Sequence, residues 1–351
     1  MVIMSNIQQK DVEIFVRNFN QSELLANTRI LITGATGLVG STLVRCLLAL
    51  NKGIEIFCPV RNISKAYSMF SEDCPNLHFV DSGLIEYLNG ISEQDAFQYV
   101  VHCASPTSGK YMIEHPVQTY LFAIDSTRAI LEYGRKNDVK GIVYVSSLEY
   151  YGQNLDDIII TEDMIGYIDN TDARSSYPLG KRAAEYLCAA YSKEYGVNVK
   201  IARLTQTFGA GVAADDNRVF AQFARSILSN TDIVLHTKGD SAKPYCYTTD
   251  CVSAILYILL KGNRGEAYNV ANEETYISIR EMAEFLCDNY NPNIKVVVEE
   301  HPEMGYAPVM KLHLSTKKLE SLGWKPQYDL KEMFDRLIDS IADVISKKNE
   351  L

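Results

Sequence analysis

The sequence predicts an α/β fold, in which a doubly wound parallel sheet carries helices on both faces and a smaller second domain follows. Short apolar runs, typical of buried strands, alternate with longer segments whose apolar residues recur at helical spacing. A glycine-rich turn joins the first of these strands to its helix. The alternation loosens after about residue 205, so we expect the sheet to come mainly from the chain before that point.

An amphipathic helix is predicted before the first strand. Val12, Phe15, Val16 and Phe19 follow the i, i+3, i+4, i+7 spacing of one helix face. This pattern places a short helix within residues 10–27.

Six apolar runs have the length of buried strands, and helical segments separate most of them, which indicates parallel pairing. The predicted strands are 29–33, 54–57, 77–80, 99–102, 141–145 and 199–202, and the predicted helices include 41–51, 116–137 and 178–195. Ligands of such sheets bind beyond the carboxyl ends of the strands. We therefore expect the glycine turn and the segment after the fifth strand to share a site.

The glycine turn has the features of a phosphate-binding turn. Glycine permits a tight turn and close backbone approach to a pyrophosphate, and the following helix supplies free N–H groups and a partial positive charge. The spacing is GxxGxxG rather than GxGxxG, and an ordinary turn with incidental glycines is the alternative. The cofactor-binding residues predicted here are Gly34, Thr36, Gly37, Leu38 and Val39, with Gly40 completing the pattern.

The end of the second strand bears on whether the cofactor is NAD or NADP. An acidic residue there is typical of NAD, whereas an arginine favours the 2′-phosphate of NADP. The segment Cys58-Pro59-Val60-Arg61-Asn62 has the arginine and no acid, which favours NADP, with a solvated loop arginine as the alternative. Asp81, after the third strand, is a candidate for the adenine side of the site or for a helix cap.

Tyr177 and Lys181 stand four residues apart at the start of a predicted helix, so both side chains lie on one face. An ammonium group beside a phenol lowers the pKa of the phenol, which lets it act as a base near neutral pH. After a fifth strand, in a chain that opens with a glycine turn, this spacing indicates an acid–base pair.

Together, TGATGLVG, the serine after the fifth strand and YPLGK resemble the extended short-chain dehydrogenases/reductases, and more narrowly their nucleotide-sugar epimerases, dehydratases and decarboxylases. The resemblance runs from about residue 28 to about residue 340. It implies a Rossmann-type fold and a catalytic set of Ser147, Tyr177 and Lys181. In that family the hydroxyl residue stands five positions before the glycine of a Tyr-Gly pair, here Gly152, which selects Ser147 over Ser146.

The segment 102–106, His-Cys-Ala-Ser-Pro, is similar to UDP-glucuronate decarboxylases. This similarity implies that Ala104 and Ser105 contact the cofactor and that Ser105 also contacts the substrate. Glu149 stands where those enzymes carry a glutamate and joins the implied catalytic residues, with a solvated strand-end glutamate as the alternative. In 4,6-dehydratases an aspartate precedes that glutamate, and Leu148 at this place argues against simple 4,6-dehydration.

The implied substrate-binding residues are Ser105, Gln206, Arg218 and Lys243. Relatives usually carry asparagine in place of Gln206 and arginine in place of Lys243. A lysine pairs with phosphate as a point charge but cannot form the two-pronged contact of a guanidinium. These departures argue against UDP-glucuronate itself and leave a different diphosphate-linked sugar as the expected partner. Arg218 is either a phosphate contact or a surface arginine.

The resemblance implies an enzyme that oxidises a nucleotide sugar at C4 through Tyr177 and then epimerises, eliminates or decarboxylates the 4-keto sugar. Its NAD or NADP would be tightly bound and recycled. Three alternatives stay open: a UDP-glucuronate decarboxylase-like enzyme, an NADPH-dependent ketone reductase, and a catalytically idle cofactor-binding interaction protein.

These inferences divide the chain into an N-terminal helical extension, an NAD(P)-binding Rossmann domain and a mainly substrate-binding domain, some of whose segments return to the sheet. The expected bounds are 1–28, 29–204 and 205–351. The long helices 116–137 and 178–195 match those that form the dimer interface of relatives, so a homodimer is expected.

Composition narrows the function classes further. A net charge of −10 and a pI near 5.2 argue against a nucleic-acid surface but allow a small anionic ligand. No stretch approaches the ~20 apolar residues of a membrane span. The eight cysteines form no CxxC pair and the six histidines show no metal-ligand spacing, which favours a reducing, cytoplasmic location and no metal site.

Overall fold

The structure, a computed structural model, describes residues 4–70, 74–153, 158–301 and 309–349. Its strands in these ranges are β1 (Arg29–Thr33), β2 (Glu55–Pro59), β3 (Leu77–Val80), β4 (Tyr99–His102), β5 (Gly141–Ser147), β6 (Ile159–Ile160), β7 (Val199–Leu204), β8 (Gln206–Phe208), β9 (Ile233–Leu235), β10 (Ala242–Tyr247), β11 (Ala267–Val270), β12 (Asn272–Ser278), β13 (Val296–Val298) and β14 (His313–Leu314). Its α-helices are α1 (Asn6–Asn18), α2 (Leu38–Ala49), α3 (Ile63–Met69), α4 (Leu84–Gly90), α5 (Gly109–Glu114), α6 (Pro116–Asn137), α7 (Ser176–Tyr195), α8 (Val219–Ser229), α9 (Thr248–Lys261), α10 (Ile279–Tyr290), α11 (Lys317–Glu320) and α12 (Leu330–Asn349).

Seven strands form one parallel sheet in the order β11-β7-β5-β4-β1-β2-β3. The strand order reverses between β1 and β4, and ligands of doubly wound sheets bind in the crevice at such a reversal. The predicted Rossmann-type α/β fold is confirmed. β11 joins the edge of this sheet beside β7, although it comes after the point where the sequence pattern loosens.

Alternate side chains of a central strand pack into apolar cores on opposite faces of the sheet. On β1, Ile30 and Ile32 pack in one apolar core with α2 and α9, whereas Leu31 packs in another with α4, α6 and α7. Because helices cover both faces, the three central positions of the strand, Ile30, Leu31 and Ile32, are all apolar, and such uninterrupted apolar runs indicated the strands in the sequence.

A further apolar core lies in the C-terminal part of the chain. It packs α8, α10 and α12 against β8 and β10, and the rings of Phe208 and Phe220 stack at 4.7 Å within it. β10 pairs with β8 in parallel and with β12 antiparallel, and Tyr245 lies opposite Gln206. The adjacent strands β8 and β10 therefore bring Gln206 and Lys243 to one region of the molecule.

The N-terminal helix begins and ends earlier than predicted. It spans Asn6–Asn18 rather than lying within 10–27, because Ser5 and Gln8 form a capping box at its start. The N–H of Phe19 closes its last turn on the carbonyl of Phe15, and a separate 3₁₀ turn follows at Ser22–Leu25. None of the helices in the described ranges is both long and apolar enough to cross a membrane.

Candidate active site

The turn between β1 and α2 forms a backbone cradle at the carboxyl edge of the sheet. Gly34 has φ +73°, and a Cβ on Gly40 would lie 2.2 Å from the carbonyl oxygen of Gly34. A Cβ on Gly37 would meet nothing closer than 3.4 Å, and α2 begins there without a side-chain cap. The first N–H groups of α2 are thus available to an anion, which fits the pyrophosphate of a dinucleotide.

A chain of buried hydrogen bonds fixes the end of β4 beside this turn. The His102 ring contacts Thr33 Oγ1 at 2.6 Å through Nδ1 and Ser126 Oγ at 3.1 Å through Nε2. The Ala104 N–H donates to the same Thr33 Oγ1 at 3.1 Å. Burial lowers the pKa of His102 to about 3, so the ring is neutral and links Thr33 to Ser126 through its two hydrogen bonds. These contacts hold Ala104 and Ser105 next to the glycines.

Tyr177 stands in the first turn of α7, and its hydroxyl is close enough to the hydroxyls of Ser147 and Ser105 for both serines to lower its pKa. Burial raises the pKa of Tyr177 to about 12, and the charge of Glu149 raises it further, while the two serines and Arg174 act in the opposite direction. Three hydroxyl groups from α7 and from the ends of β5 and β4 therefore meet at one point.

Lys181 lies one turn after Tyr177 and is buried. Its Nζ donates to the Val145 carbonyl at 2.8 Å and lies 5.5 Å from the centre of the Tyr177 ring. Burial lowers the pKa of Lys181 to about 8. The pKa of Tyr177 is therefore shifted upward, opposite to the expected direction, and burial is the largest cause.

Glu149 lies in a short 3₁₀ turn after β5, and its side chain is held by a residue that sequence reasoning missed. The guanidinium of Arg174 contacts both Glu149 carboxylate oxygens at 2.9 Å and lies 5.9 Å from the centre of the Tyr177 ring. The charge of Glu149 also favours the charged form of half-buried Lys243, whose pKa burial lowers. One carboxylate thus faces two cations beside the three hydroxyls.

The remaining predicted residues occupy different places. Gln206 and Lys243 lie on β8 and β10. Leu148 is buried, and Ser146 is buried in β5 with no partner for its hydroxyl among the described residues.

The charged residues among these predictions lie at the surface. Arg218 is exposed and pairs with Asp216 at 2.6 Å. Arg61 and Asp81 are exposed at the carboxyl ends of β2 and β3. The roles of all these side chains stay predictions.

A buried ion pair supports the turn that carries Glu149. Arg203 on β7 contacts Glu185 on α7 at 2.8 Å, and both side chains are almost fully buried. Arg203 also donates to the Tyr151 hydroxyl at 2.9 Å, and its guanidinium lies 3.5 Å from the centre of the Tyr150 ring. The pair therefore anchors the segment that follows Glu149 to both β7 and α7.

Glu185→Gln should destabilise the protein by about 3–5 kcal/mol, because it leaves the Arg203 charge buried without a counterion. The midpoint of denaturant unfolding measures this loss. The matched control is Glu284→Gln, which removes an exposed partner 3.9 Å from Arg280 and should cost less than about 1 kcal/mol. Equal losses of stability in the two variants would contradict a supporting role for the buried ion pair.

The comparisons with known proteins agree with this geometry. The family model described as NAD dependent epimerase/dehydratase family matches residues 30–271, more than half of the chain. The chain belongs to this family. It is 29% identical over 317 residues to UDP-glucuronic acid decarboxylase 5 of Arabidopsis thaliana, covering 88% of this chain and 87% of that protein.

Two solved structures of sugar-nucleotide enzymes share the fold of this epimerase/dehydratase family member. UDP-glucose 4-epimerase of Thermotoga maritima with UDP-glucose superposes with a TM-score of 0.79 at 21% identity, over 90% of this chain and 99% of that one. dTDP-glucose 4,6-dehydratase of Bacillus anthracis in complex with NAD superposes with a TM-score of 0.74 at 21% identity, over 92% of this chain and 98% of that one. The predicted enzyme class, nucleotide-sugar epimerase/dehydratase with a nicotinamide cofactor, is confirmed at the level of the family.

Proposed function

We propose that this protein is an NAD(P)-dependent nucleotide-sugar epimerase/dehydratase that works through a transient 4-keto sugar. The observation that carries the proposal is the meeting of the Tyr177, Ser147 and Ser105 hydroxyls at the sheet edge beside the glycine turn. A sugar hydroxyl placed among them would find a base and hydrogen-bond partners at once.

The proposed first step uses these groups directly. Tyr177 removes the proton from the C4 hydroxyl, and Ser147 hydrogen-bonds the reacting oxygen. The glycine turn would hold the pyrophosphate of the cofactor and Lys181 its ribose. A bound dinucleotide would supply a hydride acceptor for C4 and, in a recycling enzyme, the hydride donor of the later step. The resulting ketone acidifies the neighbouring positions of the sugar, which opens epimerisation, elimination or decarboxylation.

Glu149 decides between these later outcomes in our proposal. Decarboxylation is supported by the similarity to a UDP-glucuronic acid decarboxylase and by Glu149 itself. Lys243 and Gln206 depart from the pattern of those enzymes, and Leu148 removes the second carboxyl that simple 4,6-dehydration needs. We therefore propose a diphosphate-linked sugar other than UDP-glucuronate as the substrate.

An NADPH-dependent ketone reductase is the second candidate. Arg61, at the end of β2 where NAD enzymes carry an acid, favours it. In that case a keto sugar or related nucleotide-linked ketone would be reduced, with Tyr177 donating the proton to the new alkoxide. The cofactor would be consumed in proportion to the product.

We also propose a homodimer in a reducing, cytoplasmic compartment. Val117, Leu121 and Phe122 on α6 and Tyr186 on α7 are exposed apolar side chains, whereas Leu131 is core. Contact with a second copy of the chain would bury these four side chains, which would explain why apolar residues lie on the surface of one protomer. All eight cysteines lie in described parts of the chain and are unpaired, which supports a reducing environment.

Purified protein assayed against UDP-, dTDP-, GDP- and CDP-sugars, with products identified by mass spectrometry and NMR, tests the proposal. We expect turnover of at least one nucleotide sugar. Turnover without net NAD(P)H change supports the recycling enzyme, whereas stoichiometric NADPH consumption supports the reductase. Inactivity against the whole panel, with no nicotinamide dinucleotide bound, would contradict both.

A further inference from the structure

The N-terminal helix α1 contacts both main parts of the molecule, and the proposed chemistry does not use it. Phe15 and Phe19, in its second half, are buried in the apolar core that contains α2 and α9, where the Phe19 ring lies 5.9 Å from that of Tyr257. Asp11, in its first half, pairs with Arg336 of α12, which belongs to the C-terminal core. The helix therefore joins the large sheet to the C-terminal part of the chain.

Asp11 is an almost fully buried carboxylate with two partners on different elements. It accepts hydrogen bonds from the Arg336 guanidinium on α12 and from the Tyr247 hydroxyl at the end of β10. Burial raises the pKa of Asp11 to about 6, while both partners lower it, so the carboxyl is mainly ionised at pH 7. Because a buried charge without its partners is costly, Asp11 constrains the positions of both.

Tyr247 connects Asp11 to the loop that follows β8, residues 209–212. Its hydroxyl donates to Asp11 and accepts the Ala210 N–H at 3.2 Å. Its ring lies so close to Gly209 that a Cβ there would be 2.3 Å from Tyr247 Cε2. One phenol thus links the buried carboxylate to the backbone of the loop.

Two other residues at the start of α1 reach the same loop. Gly211 has φ +95°, and a Cβ on it would lie 2.4 Å from Gln8 Nε2. The Gly211 N–H donates to Ser340 Oγ at 3.4 Å, and that oxygen lies 2.8 Å from Ser5 Oγ. Ser5, Gln8 and Asp11 are spaced three residues apart, which places them along one side of the helix. This side of α1 is therefore seated on the loop.

The loop in turn lies between the glycine turn and the proposed substrate strands. A Cβ on Gly211 would be 3.6 Å from Cδ1 of Leu38, the first residue of α2. β8, which ends just before the loop, carries Gln206. Displacement of the loop would therefore change the separation between the dinucleotide cradle and the strand that carries Gln206.

We propose that Asp11 is a positioning residue of the active site, which holds the 209–212 loop against the start of α2 through Tyr247. The proposal rests on the proposed function in taking the crevice beside this loop as the nucleotide-sugar site. Asp11 acts through Tyr247 and supplies no acid–base group. Its loss should therefore weaken binding of the nucleotide sugar and leave the chemical step close to normal, since misplacement by about 1 Å can cost up to about 10²-fold.

Hydrogen exchange of the full-length protein reports the position of the loop without any substrate. In Asp11→Ala and in Tyr247→Phe, the amides of Ala210 and Gly211 should exchange at least about tenfold faster, whereas those of β1 should keep their rates. Tyr247→Phe keeps the ring and the pair of Asp11 with Arg336, so it tests the link even if Asp11→Ala does not fold.

Steady-state kinetics report the consequence for catalysis. With the nucleotide sugar identified in the panel, Asp11→Ala and Tyr247→Phe should each raise KM by about tenfold and leave kcat within about threefold. The double variant should raise KM no further than either single variant, because both substitutions break the same link. A tenfold loss of kcat at unchanged KM would overturn the inference.

The matched control is Asp343→Ala, which removes another carboxylate that joins α1 to α12. Asp343 accepts the Asn6 N–H at 2.7 Å and pairs with Lys347, and none of its hydrogen bonds within the described residues reaches the loop. This variant should change neither the exchange of the loop amides nor KM. The outcome separates a specific hold on the loop from general loosening of α1.

Unchanged loop exchange in both test variants, or equal increases of KM in Asp11→Ala and Asp343→Ala, would overturn the inference while leaving the proposed function intact. Failure of the unaltered protein to turn over any nucleotide sugar would instead overturn the proposed function. The exchange rates would still decide whether Asp11 holds the loop.

Discussion

Tyr177→Phe should lower turnover by about 10²–10⁴-fold, the usual contribution of a positioned acid–base group. The substitution removes only the phenol oxygen, which lies beside the hydroxyls of Ser147 and Ser105. The ring, packed at the start of α7, keeps its place. Rate measurements on the substrate found in the nucleotide-sugar panel report the effect, and dinucleotide affinity from calorimetry should stay within about twofold because binding is carried by the glycine turn.

Tyr186→Phe is the matched control for this substitution. Tyr186 lies on the same helix and is 71% exposed, so losing its hydroxyl should leave turnover unchanged. A base must be deprotonated to act, and burial raises the pKa of Tyr177 to about 12, so the first step of the unaltered enzyme should speed up as pH rises through the neutral range. Full turnover in Tyr177→Phe would show that another group moves the proton.

The parts of the fold with a strong local pattern were predicted well. β1, β3, β4 and α6 have the predicted bounds, because a buried parallel strand needs an unbroken apolar run and Pro116 marks the start of α6. The N-terminal helix was misplaced because the capping box at Ser5 lies outside the apolar pattern. β11 was not placed in the sheet, because a single edge strand far along the chain carries no local sign of its partner.

In the site, too, the features set by local spacing were predicted and those set by tertiary contacts were not. The four-residue spacing put Tyr177 and Lys181 on one face, as the structure has them. The pKa direction of the tyrosine was wrong because burial, which decides it, cannot be taken from spacing. Arg174 was missed because it lies in a 3₁₀ turn that no periodicity marks, and its partner Glu149 is 25 residues away along the chain.

The charge of Glu149 also changes the pKa of Tyr177, so substitution of Glu149 should change the pH dependence of the first step as well as the later steps. The carboxylate raises the pKa of Tyr177 and Arg174 lowers it. Glu149→Gln should therefore move the rise of the first-step rate to lower pH, and Arg174→Gln should move it to higher pH. Single-turnover measurements of hydride transfer across pH report both shifts. A purely structural role for the pair would move both variants in the same direction.

Glu149→Gln should leave the first hydride transfer largely intact and slow any later elimination or decarboxylation by about 10²–10⁴-fold, because the amide neither accepts nor supplies the proton that such a step needs. The 4-keto sugar should then accumulate and be visible by NMR. Glu284→Gln, the exposed surface variant, should release the normal product at the normal rate. Full overall turnover in Glu149→Gln would mean that no group acts after the ketone forms except the returning hydride, and a simple epimerase would then be the better assignment.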